Sequence, residues 1–513
     1  MRILFHLIVG LACTALLAAR SFAEPAAQGS SERADSNGTL VPSDWQGLHE
    51  RWQQAASELK VPGLAVVVVK GDRVVLLDAI GACDPEAKQR VTPRSPFYLA
   101  SVTKSFTALG IAILVEEGKV KLDEPVKTYL PRFTLADEEF AKTVTVRDLL
   151  CHRYGLDSEP ISMSEAYFGN INDERYYRLL KFVRRGNRFA YSNLHYTLLG
   201  RVIEASEGKP WQDFLAERVF APLEMRDSTC YASKLYANPL VAWPLVGKNG
   251  KWERAPLVKN DRVMHAAGGM GASAADLGNW MRFHLTGKTP AGRQLISPEL
   301  LADIHKEQVT TTSGPGPAGF TRDGYALGWF TGSFQGHPLL EHGGGYLGTA
   351  TLVSILPKEQ VGVAVLVNES RPGVAIMITA DAFSRLLGNS DVDLLPWVRE
   401  NTARLQARLA ANPERTWEAP GKGHGLTQPV DRYLGTYSNG MWGEAKLTSR
   451  DDKLVMTIGT LELRLNSAGD DRFDLQIPSS QAMPARFELD SEGRVTGFTV
   501  TIPLGKTEFR KAG

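Results

Sequence analysis

Cysteine is scarce in this chain, which has four among 513 residues. Cys13 falls in the apolar leading segment, so Cys83, Cys151 and Cys230 are those left in the rest of the sequence. An odd number of cysteines at such wide spacing excludes a disulfide framework and lacks the close pairing of a zinc site. We therefore expect buried free thiols and no metal.

An excess of charge and a long apolar run are also missing. Lysine and arginine total 58 against 57 aspartates and glutamates, so nucleic acid is not an expected partner. After the leading segment no stretch reaches about 18 consecutive apolar residues, which argues against stable membrane insertion. With 43% hydrophobic and 22% charged residues, the composition is that of a soluble globular protein.

The first residues have the pattern of a targeting segment. Arg2 supplies a positive charge, residues 3–17 are apolar, and Ser21-Phe-Ala23 is a small-x-small cleavage site. We predict a signal peptide over residues 1–23 and a secreted or periplasmic mature protein. Residues 24–43, rich in alanine, serine and glycine, are predicted to form a flexible lead.

Residues 44–392 have strand patterns at both ends and mostly helices between them. The predicted strands are Gly63–Lys70, Val74–Ala79, Tyr325–Phe334, Gly348–Leu356 and Gly362–Val367. This order predicts an α+β domain in which the two terminal segments share one antiparallel sheet, flanked by helices and joined to an all-helical region.

The end of the chain has a different pattern. Residues 393–428 are predicted to form a helix and a linker, and short alternating strands follow over residues 429–513. The predicted strands are Gly443–Leu447, Leu454–Ile458, Leu461–Leu465, Phe473–Ile477, Ala485–Leu489 and Gly497–Thr501. Their regular spacing is typical of a small all-β barrel or sandwich.

The stretch Tyr98-Leu-Ala-Ser101-Val-Thr-Lys104 places a serine and a lysine three residues apart at a predicted helix start. Residues at this spacing share one face of a helix, so the Lys104 amine can lie beside the Ser101 hydroxyl. Burial against the apolar run that follows would lower the pKa of the lysine, and a neutral amine could take the serine proton. The pair is a candidate nucleophile with its helper.

A second copy of the motif, Ser57-Glu-Leu-Lys60, has the same spacing. It lies in a polar helix predicted over Asp44–Leu59, just before the turn Val61-Pro-Gly63. This is the pattern of a solvated helix face. We therefore interpret this copy as having no catalytic role.

Two further elements could complete an acyl-transfer site. Phe189-Ala-Tyr191-Ser-Asn193 offers a tyrosine for proton transfer and an asparagine for a substrate amide. The Tyr-x-Asn triplet alone is not specific, because it recurs at Tyr236-Ala-Asn238.

The other element is His342-Gly-Gly-Gly345-Tyr-Leu-Gly348. Its glycines also fit a dinucleotide-binding fingerprint, but an apolar strand follows where such a loop would open a helix. Beside a strand, glycines either form a bulge or allow a substrate to approach the backbone. The Gly345 amide is then a candidate oxyanion donor, and His342 a candidate polar contact.

Together these motifs resemble those of the class C β-lactamase-like serine hydrolases, a group that also contains D-alanyl-D-alanine carboxypeptidases, D-aminopeptidases and carboxylesterases. Further stretches share the likeness: Val91-Thr-Pro-Arg-Ser-Pro-Phe97, Val144-Thr-Val-Arg-Asp-Leu-Leu150, Gly268-Gly-Met-Gly-Ala-Ser273 and Leu327-Gly-Trp-Phe330. The resemblance covers residues 44–390 and implies a β-lactamase/transpeptidase-like fold. The tail, with Asp431-Arg-Tyr-Leu-Gly-Thr-Tyr437, resembles the lipocalin-like barrel that follows many of these hydrolases.

The resemblance implies a role for each catalytic candidate. Ser101 would be the acylated nucleophile, Lys104 would assist its deprotonation, and Tyr191 would pass the proton to the leaving group and activate the deacylating water. Whether the lysine or the tyrosine is the acylation base stays open. No cofactor is implied, and the oligomeric state is not defined.

The resemblance also implies how substrate is held. Asn193, His342 and Gly344 would contact it, and the amides of Ser101 and Gly345 would form the oxyanion hole. True class C β-lactamases have Lys-Thr-Gly where this chain has His342-Gly-Gly344, and a mostly neutral histidine attracts a drug carboxylate less well.

We therefore expect an exported serine hydrolase acting on a small ester, amide or short peptide. A D-stereospecific peptidase or a carboxylesterase is favoured. The alternatives are a class C-type β-lactamase or D-Ala-D-Ala carboxypeptidase and, from another class, an inactive module that binds cell-wall peptides.

Overall fold

The structure is a computed structural model that describes residues 35, 37–84, 86, 89–248, 250–311, 314, 316–389, 392–411, 425–450, 453–475, 483–502 and 505–512. The predicted signal peptide, most of the predicted flexible lead and part of the predicted linker lie outside these residues. Within the described ranges, no helix is long and apolar enough to cross a membrane.

Strands and helices alternate along the chain as far as residue 411. The strands are β1 Gly63–Lys70, β2 Arg73–Asp84, β3 Gln89–Arg90, β4 Phe97–Tyr98, β5 Leu156–Asp157, β6 Arg184–Arg185, β7 Leu245–Lys248, β8 Lys251–Arg254, β9 Gly271–Ala272, β10 Val309–Thr310, β11 Phe320–Tyr325, β12 Phe330–Phe334, β13 His337–Tyr346, β14 Thr349–Leu356 and β15 Val361–Val367. The α-helices are α1 Gln46–Glu58, α2 Thr103–Glu116, α3 Val126–Tyr129, α4 Glu138–Thr143, α5 Val146–Leu150, α6 Glu159–Met163, α7 Asp173–Leu180, α8 Asn193–Glu207, α9 Trp211–Leu215, α10 Ala232–Ala237, α11 Ala274–Thr286, α12 Pro298–His305, α13 Gly373–Leu387 and α14 Leu395–Ala411.

The main sheet has the strand order β10-β11-β12-β13-β14-β15-β1-β2-β3 among the described residues. Each pair of neighbours is antiparallel, and β1 from the N-terminal part pairs with β15 from the C-terminal part. The apolar run of β1 is buried on both faces: Ala65 and Val67 join one core cluster, whereas Leu64 and Val66 join the other. Near-continuous apolar residues are typical of a strand covered on both sides.

Helices cover both faces of this sheet. The larger core cluster holds residues of α2, α8 and α11, and the smaller one holds residues of α1 and α13. Every residue of α2 from Thr103 to Leu114 is buried. A helix that is apolar on all sides belongs in the interior, and the turn Ala100–Val102 that leads into α2 packs against β13 and β14. The predicted α+β architecture is confirmed.

One predicted strand, Tyr325–Phe334, is two strands in the structure. β11 ends at Tyr325, β12 begins at Phe330, and the turn between them is closed by the Ala326 amide, which donates to Trp329 O at 2.7 Å. Within the turn, Gly328 has φ +88°, and a Cβ there would lie 2.7 Å from the Ala108 side chain of α2. The turn exists because glycine allows this close approach.

The tail forms a closed antiparallel barrel. Its strands are β16 Gly435–Asn439, β17 Gly443–Arg450, β18 Lys453–Ile458, β19 Leu461–Gly469, β20 Arg472–Leu475, β21 Met483–Leu489, β22 Val495–Ile502 and β23 Gly505–Lys511. Aromatic residues such as Tyr437, Phe487 and Phe498 fill its centre. The small barrel was predicted, but its first and last strands, β16 and β23, were not; these two strands pair with each other and close the barrel.

Candidate active site

Ser101 lies in a tight 3-10 turn, Ala100–Val102, that leads directly into α2. Ala100 has φ +48°, a conformation that residues other than glycine rarely adopt. The Thr103 hydroxyl donates to the Ala100 carbonyl at 2.7 Å and holds the turn in place. Strained backbone of this kind persists only where its surroundings enforce it, and here it leaves Ser101 partly exposed.

The amine of Lys104 has three oxygen neighbours. Its Nζ is 3.2 Å from Ser101 Oγ, 2.9 Å from Asn193 Oδ1 and 2.6 Å from Ala267 O. The first contact comes from its own helical turn, whereas Asn193 begins α8 and Ala267 lies in a loop before α11. The structure therefore brings Ser101, Lys104 and Asn193 together, and the contact of Asn193 with substrate stays a prediction.

Burial changes the charge state of this amine. Lys104 is 0% exposed, and the loss of solvent holds its pKa well below the usual range of a lysine. A neutral amine keeps two N–H donors, which match Asn193 Oδ1 and Ala267 O, and it gains a lone pair that can accept from Ser101. The geometry fits a neutral lysine that can receive the serine proton.

Tyr191 borders the same serine. The residue is 38% exposed, and its ring packs against those of His152 and Phe330 at centroid distances of 4.6 and 6.0 Å. Protein atoms packed around the hydroxyl raise its pKa, although a hydrogen bond with Ser101 and the charge of Arg322 both act to lower it. Tyr191 is therefore a protonated phenol at neutral pH.

A pair of histidines lies behind Tyr191 and was not anticipated as a pair from the sequence. His152 and His195 are 0% and 1% exposed, and their Nδ1 atoms are 2.6 Å apart. Burial lowers the pKa of His195 to about 3 and that of His152 well below its usual value, so both rings are neutral. One Nδ1 donates to the other, which fixes both rings. Their positions in the sequence give no signal of this contact, because it depends on how α8 packs against the loop after α5.

His342 is buried in β13. It is 1% exposed, its Nδ1 donates to Gly343 O at 2.8 Å, and its Nε2 accepts from the Tyr325 hydroxyl at 3.1 Å. Burial lowers its pKa to about 3, so the ring carries no charge. Its two nitrogens are thus engaged with protein atoms, and a contact with substrate stays a prediction.

The end of β13 forms an open edge beside the Ser101 turn. β12 pairs with β13 only as far as Glu341, so residues 342–346 have no partner strand on that side within the described sheet. A Cβ on Gly344 would lie 2.0 Å from Leu99 O, which shows how closely β13 approaches the turn. Gly345 is exposed with open space around its Cα. The oxyanion pair of Ser101 and Gly345 amides stays a prediction that this arrangement permits.

The loop of residues 266–270, before α11, is hydrogen-bonded to the segment that contains Ser101. Its carbonyls accept a series of hydrogen bonds: from Lys104 to Ala267, from Thr107 to Ala266, from the Tyr98 hydroxyl to Gly268, and from the Leu99 amide to Met270. The glycines of this loop belong to a stretch that resembles the family, and no role was predicted for them. The structure shows that the loop anchors the residues on both sides of Ser101.

A positive charge near the site is already paired. Arg322 on β11 donates to Glu341 at 3.0 Å through Nε, and its guanidinium lies 4.1 Å from the centroid of the Phe330 ring. That ring stacks on Tyr191 in turn. Arg322 therefore reaches the site, but its charge is balanced by Glu341.

The comparison with protein families agrees with this architecture. Residues 48–385 match the model of the family described as "Beta-lactamase". The chain belongs to the beta-lactamase family. A second model, a domain of unknown function called DUF3471, matches residues 419–511 of this beta-lactamase-family protein, a range that includes the barrel.

Individual relatives cover most of the chain. Penicillin-binding protein 4 of Amycolatopsis lactamdurans is 30% identical over 393 residues, which are 74% of this chain and 100% of the relative. The octameric penicillin-binding protein homologue from Pyrococcus abyssi aligns with a TM-score of 0.57 at 22% identity, over 91% of this chain and 100% of its own. A class C beta-lactamase from Rhodobacter sphaeroides aligns at 0.51 and 21% identity, over 66% of this chain and 99% of its own. At these identities the solved structures support the fold of this family member, not its substrate.

Proposed function

We propose that this chain is an exported serine hydrolase that forms an acyl-enzyme through Ser101 on an ester or amide substrate. The observation that carries the proposal is the buried Lys104 amine, 3.2 Å from Ser101 Oγ and bonded on its other sides to Asn193 and Ala267. A module that only binds peptides has no need to bury a lysine against a serine, since burial of an ammonium group is costly.

In acylation, Ser101 Oγ attacks the substrate carbonyl carbon while its proton moves to the neutral Lys104 amine. The amides of Ser101 and Gly345 hold the oxyanion of the tetrahedral intermediate. When the ester or amide bond breaks, the leaving group takes a proton through Tyr191. We assign Lys104 as the acylation base because burial removes its charge, whereas the raised pKa of Tyr191 keeps its phenol protonated.

Deacylation reverses these proton movements. Tyr191, which has passed its proton on, accepts one from the incoming water, and the water oxygen attacks the acyl carbon. The bond to Ser101 Oγ breaks, and the serine recovers its proton from Lys104. The product acid leaves, and every group returns to its starting protonation state.

The charges around the site offer little stabilisation to a substrate carboxylate. Buried His342 is uncharged, and Arg322 is paired with Glu341. A β-lactam or a C-terminal D-Ala-D-Ala peptide would bring a carboxylate that gains little from either residue. We therefore favour a D-stereospecific aminopeptidase or peptidase, or a carboxylesterase, over a β-lactamase or carboxypeptidase.

A substrate panel tests this proposal. Short-chain aryl esters, D-aminoacyl amides, D-Ala-D-Ala peptides and a chromogenic cephalosporin are assayed with the full chain, and Ser101→Ala serves as the blank. We expect turnover of esters or D-aminoacyl amides to exceed that of the cephalosporin. If no substrate turns over and a fluorophosphonate probe labels nothing, the binding-module alternative replaces the proposal.

A further inference from the structure

The barrel contacts the rest of the chain through a short π-helix, Ser164–Phe168, that follows α6. The Thr460 amide, in the turn between β18 and β19, donates to Phe168 O at 2.6 Å. A Cβ on the neighbouring Gly459 would lie 2.0 Å from the same carbonyl. Phe168 is 3% exposed and belongs to the apolar core of the barrel. The π-helix is therefore part of both structures.

A second barrel turn, between β16 and β17, strengthens this contact. Asn170 donates through Nδ2 to Trp442 O at 3.1 Å, and Arg175 donates through Nη2 to Met441 O at 2.7 Å. The Trp442 ring packs against that of Phe168 at a centroid distance of 6.0 Å. Two turns at one end of the barrel thus hold one segment of the hydrolase part.

The same π-helix reaches the candidate active site through Tyr167. Its ring stacks on that of Tyr346, with centroids 5.8 Å apart and planes inclined by 28°. Tyr346 directly follows the exposed Gly345 at the open edge of β13. Tyr98, three residues before Ser101, meets the same Tyr346 ring edge-on at 5.6 Å. Three tyrosines, Tyr98, Tyr346 and Tyr167, therefore form a row from the turn that holds Ser101 to the π-helix that contacts the barrel.

The buried side chain of Lys259 packs against two of these tyrosines, Tyr167 and Tyr346. It is 3% exposed, its Nζ donates to Ala166 O in the π-helix, and it lies 4.2 Å from the Tyr346 centroid and 5.1 Å from that of Tyr167. Burial lowers the pKa of this amine to about 7. The amine faces a carbonyl and two ring faces, whereas Tyr167 and Tyr346 are partly exposed. The surface offered to a ligand is therefore aromatic, with the lysine behind it.

We propose that Tyr167 and Tyr346 form a subsite beyond Gly345 for an aromatic or large apolar group of the substrate, and that the barrel sets substrate preference by holding Tyr167 in place. The inference rests on the proposed hydrolase function. Phe168, the last residue of the π-helix, and Trp442, which packs against it, act as positioning residues for Tyr167. Aromatic rings offer an aromatic substituent both apolar area and favourable edge or stacking contacts.

The test compares two substrates in the full chain that share an aliphatic leaving group: ethyl acetate and the ethyl ester of an aryl-substituted acid such as 4-phenylbutyrate. Their ratio of kcat/KM is measured for Tyr167→Ala and for Trp442→Ala. We expect Tyr167→Ala to lower the aryl-to-acetyl ratio by roughly tenfold or more, mainly through KM, as for loss of an apolar pocket contact. Trp442→Ala should lower the ratio in the same direction, and the double variant should equal the larger single effect because both act through one residue.

Two controls separate the outcomes. Tyr129→Ala removes a partly exposed tyrosine at the end of α3, whose hydroxyl accepts from the Lys121 amide at 2.8 Å, and should leave the ratio unchanged. If the alanine variant folds poorly, Tyr167→Leu takes its place, because it removes the aromatic ring but keeps an apolar side chain. Fluorophosphonate labelling of the wild-type chain tests the hydrolase function separately. A ratio that stays within about twofold of wild type in folded, labelled Tyr167 variants overturns the subsite, since even one apolar contact is worth more than that.

Discussion

The chain contains the Ser-x-x-Lys tetrapeptide twice, in opposite surroundings. Ser57 lies in the last turn of α1 and Lys60 just beyond it, and both side chains are exposed. Ser101 and Lys104 lie at the start of α2, where Lys104 is 0% exposed. The two copies have the same spacing and differ in their environment, so we expect them to differ in chemistry for that reason.

Position on the helix contributes to this difference. The carbonyl end of a helix favours a positive charge, whereas the amide end opposes one. Lys60 follows the carbonyl end of α1, and Lys104 is the second residue of α2. Burial then removes the remaining stabilisation of the Lys104 charge by water. Both effects favour a neutral amine at Lys104, as the proposed base requires.

The comparison is tested most strongly by removing the proposed nucleophile. Ser101→Ala deletes the hydroxyl that the Lys104 amine contacts, and we expect kcat to fall by about 10⁴-fold or more, as for other nucleophile deletions. The measurement is turnover of the best substrate of the panel, with intact-mass detection of the fluorophosphonate adduct. Undiminished turnover in this variant would refute the assignment.

Removing the buried amine should have the next largest effect. Lys104→Met keeps the length and apolar stem but cannot accept the Ser101 proton, so kcat/KM should fall by roughly 10³-fold. Lys60→Met is the matched control and should have wild-type activity, because Lys60 is exposed. An equal loss of kcat/KM in Lys104→Met and Lys60→Met would mean that burial of the lysine does not decide which copy of the motif is catalytic.

Loss of the phenol should cost less. Tyr191→Phe keeps the ring packed against His152 and Phe330 but removes the hydroxyl, so kcat should fall by about 10²-fold. Tyr231→Phe removes a hydroxyl elsewhere and serves as control. If Tyr191→Phe were fully active, proton transfer to the leaving group would have to pass through another residue.

The pH dependence reports the charge of Lys104. Burial lowers its pKa, so the neutral amine persists to lower pH than for an exposed lysine. Below that pKa, kcat/KM should fall about tenfold per pH unit, because Lys104 must lose its proton before Ser101 can give up its own. A profile that rises only near the usual lysine pKa would show that Lys104 is charged at neutral pH. The wild-type chain and Lys60→Met should give the same curve.

Local sequence patterns were enough to predict much of the fold. The valine run of β1 and the apolar stretches of β14 and β15 reveal strands buried on both faces. The barrel strands β16 and β23 were missed because polar residues such as Ser438, Asn439 and Glu508 dilute their pattern. A strand that closes a barrel is recognised by its partner, not by its own composition.

Contacts within the candidate site were predicted where the residues are close in sequence and missed where they are far apart. Ser101 and Lys104 share one helical turn, which the spacing alone implies. The His152–His195 contact and the Ala267 carbonyl under Lys104 depend on packing between segments far apart in the chain. The burial of His342 was missed for the same reason, since its partner Tyr325 comes from another strand.

The smallest expected effect belongs to the exposed copy of the motif. Ser57→Ala removes a solvent-facing hydroxyl in the last turn of α1, so activity should stay at the wild-type level and the free energy of unfolding should change by less than about 0.5 kcal/mol. Turnover and denaturant unfolding are measured beside Ser101→Ala under the same conditions. A loss of turnover comparable to that of Ser101→Ala would indicate that Ser57, and not Ser101 alone, is needed for catalysis. If Ser57→Ala has wild-type activity and Ser101→Ala is inactive, the same tetrapeptide is functional where its lysine is buried and has no catalytic role where its lysine is exposed.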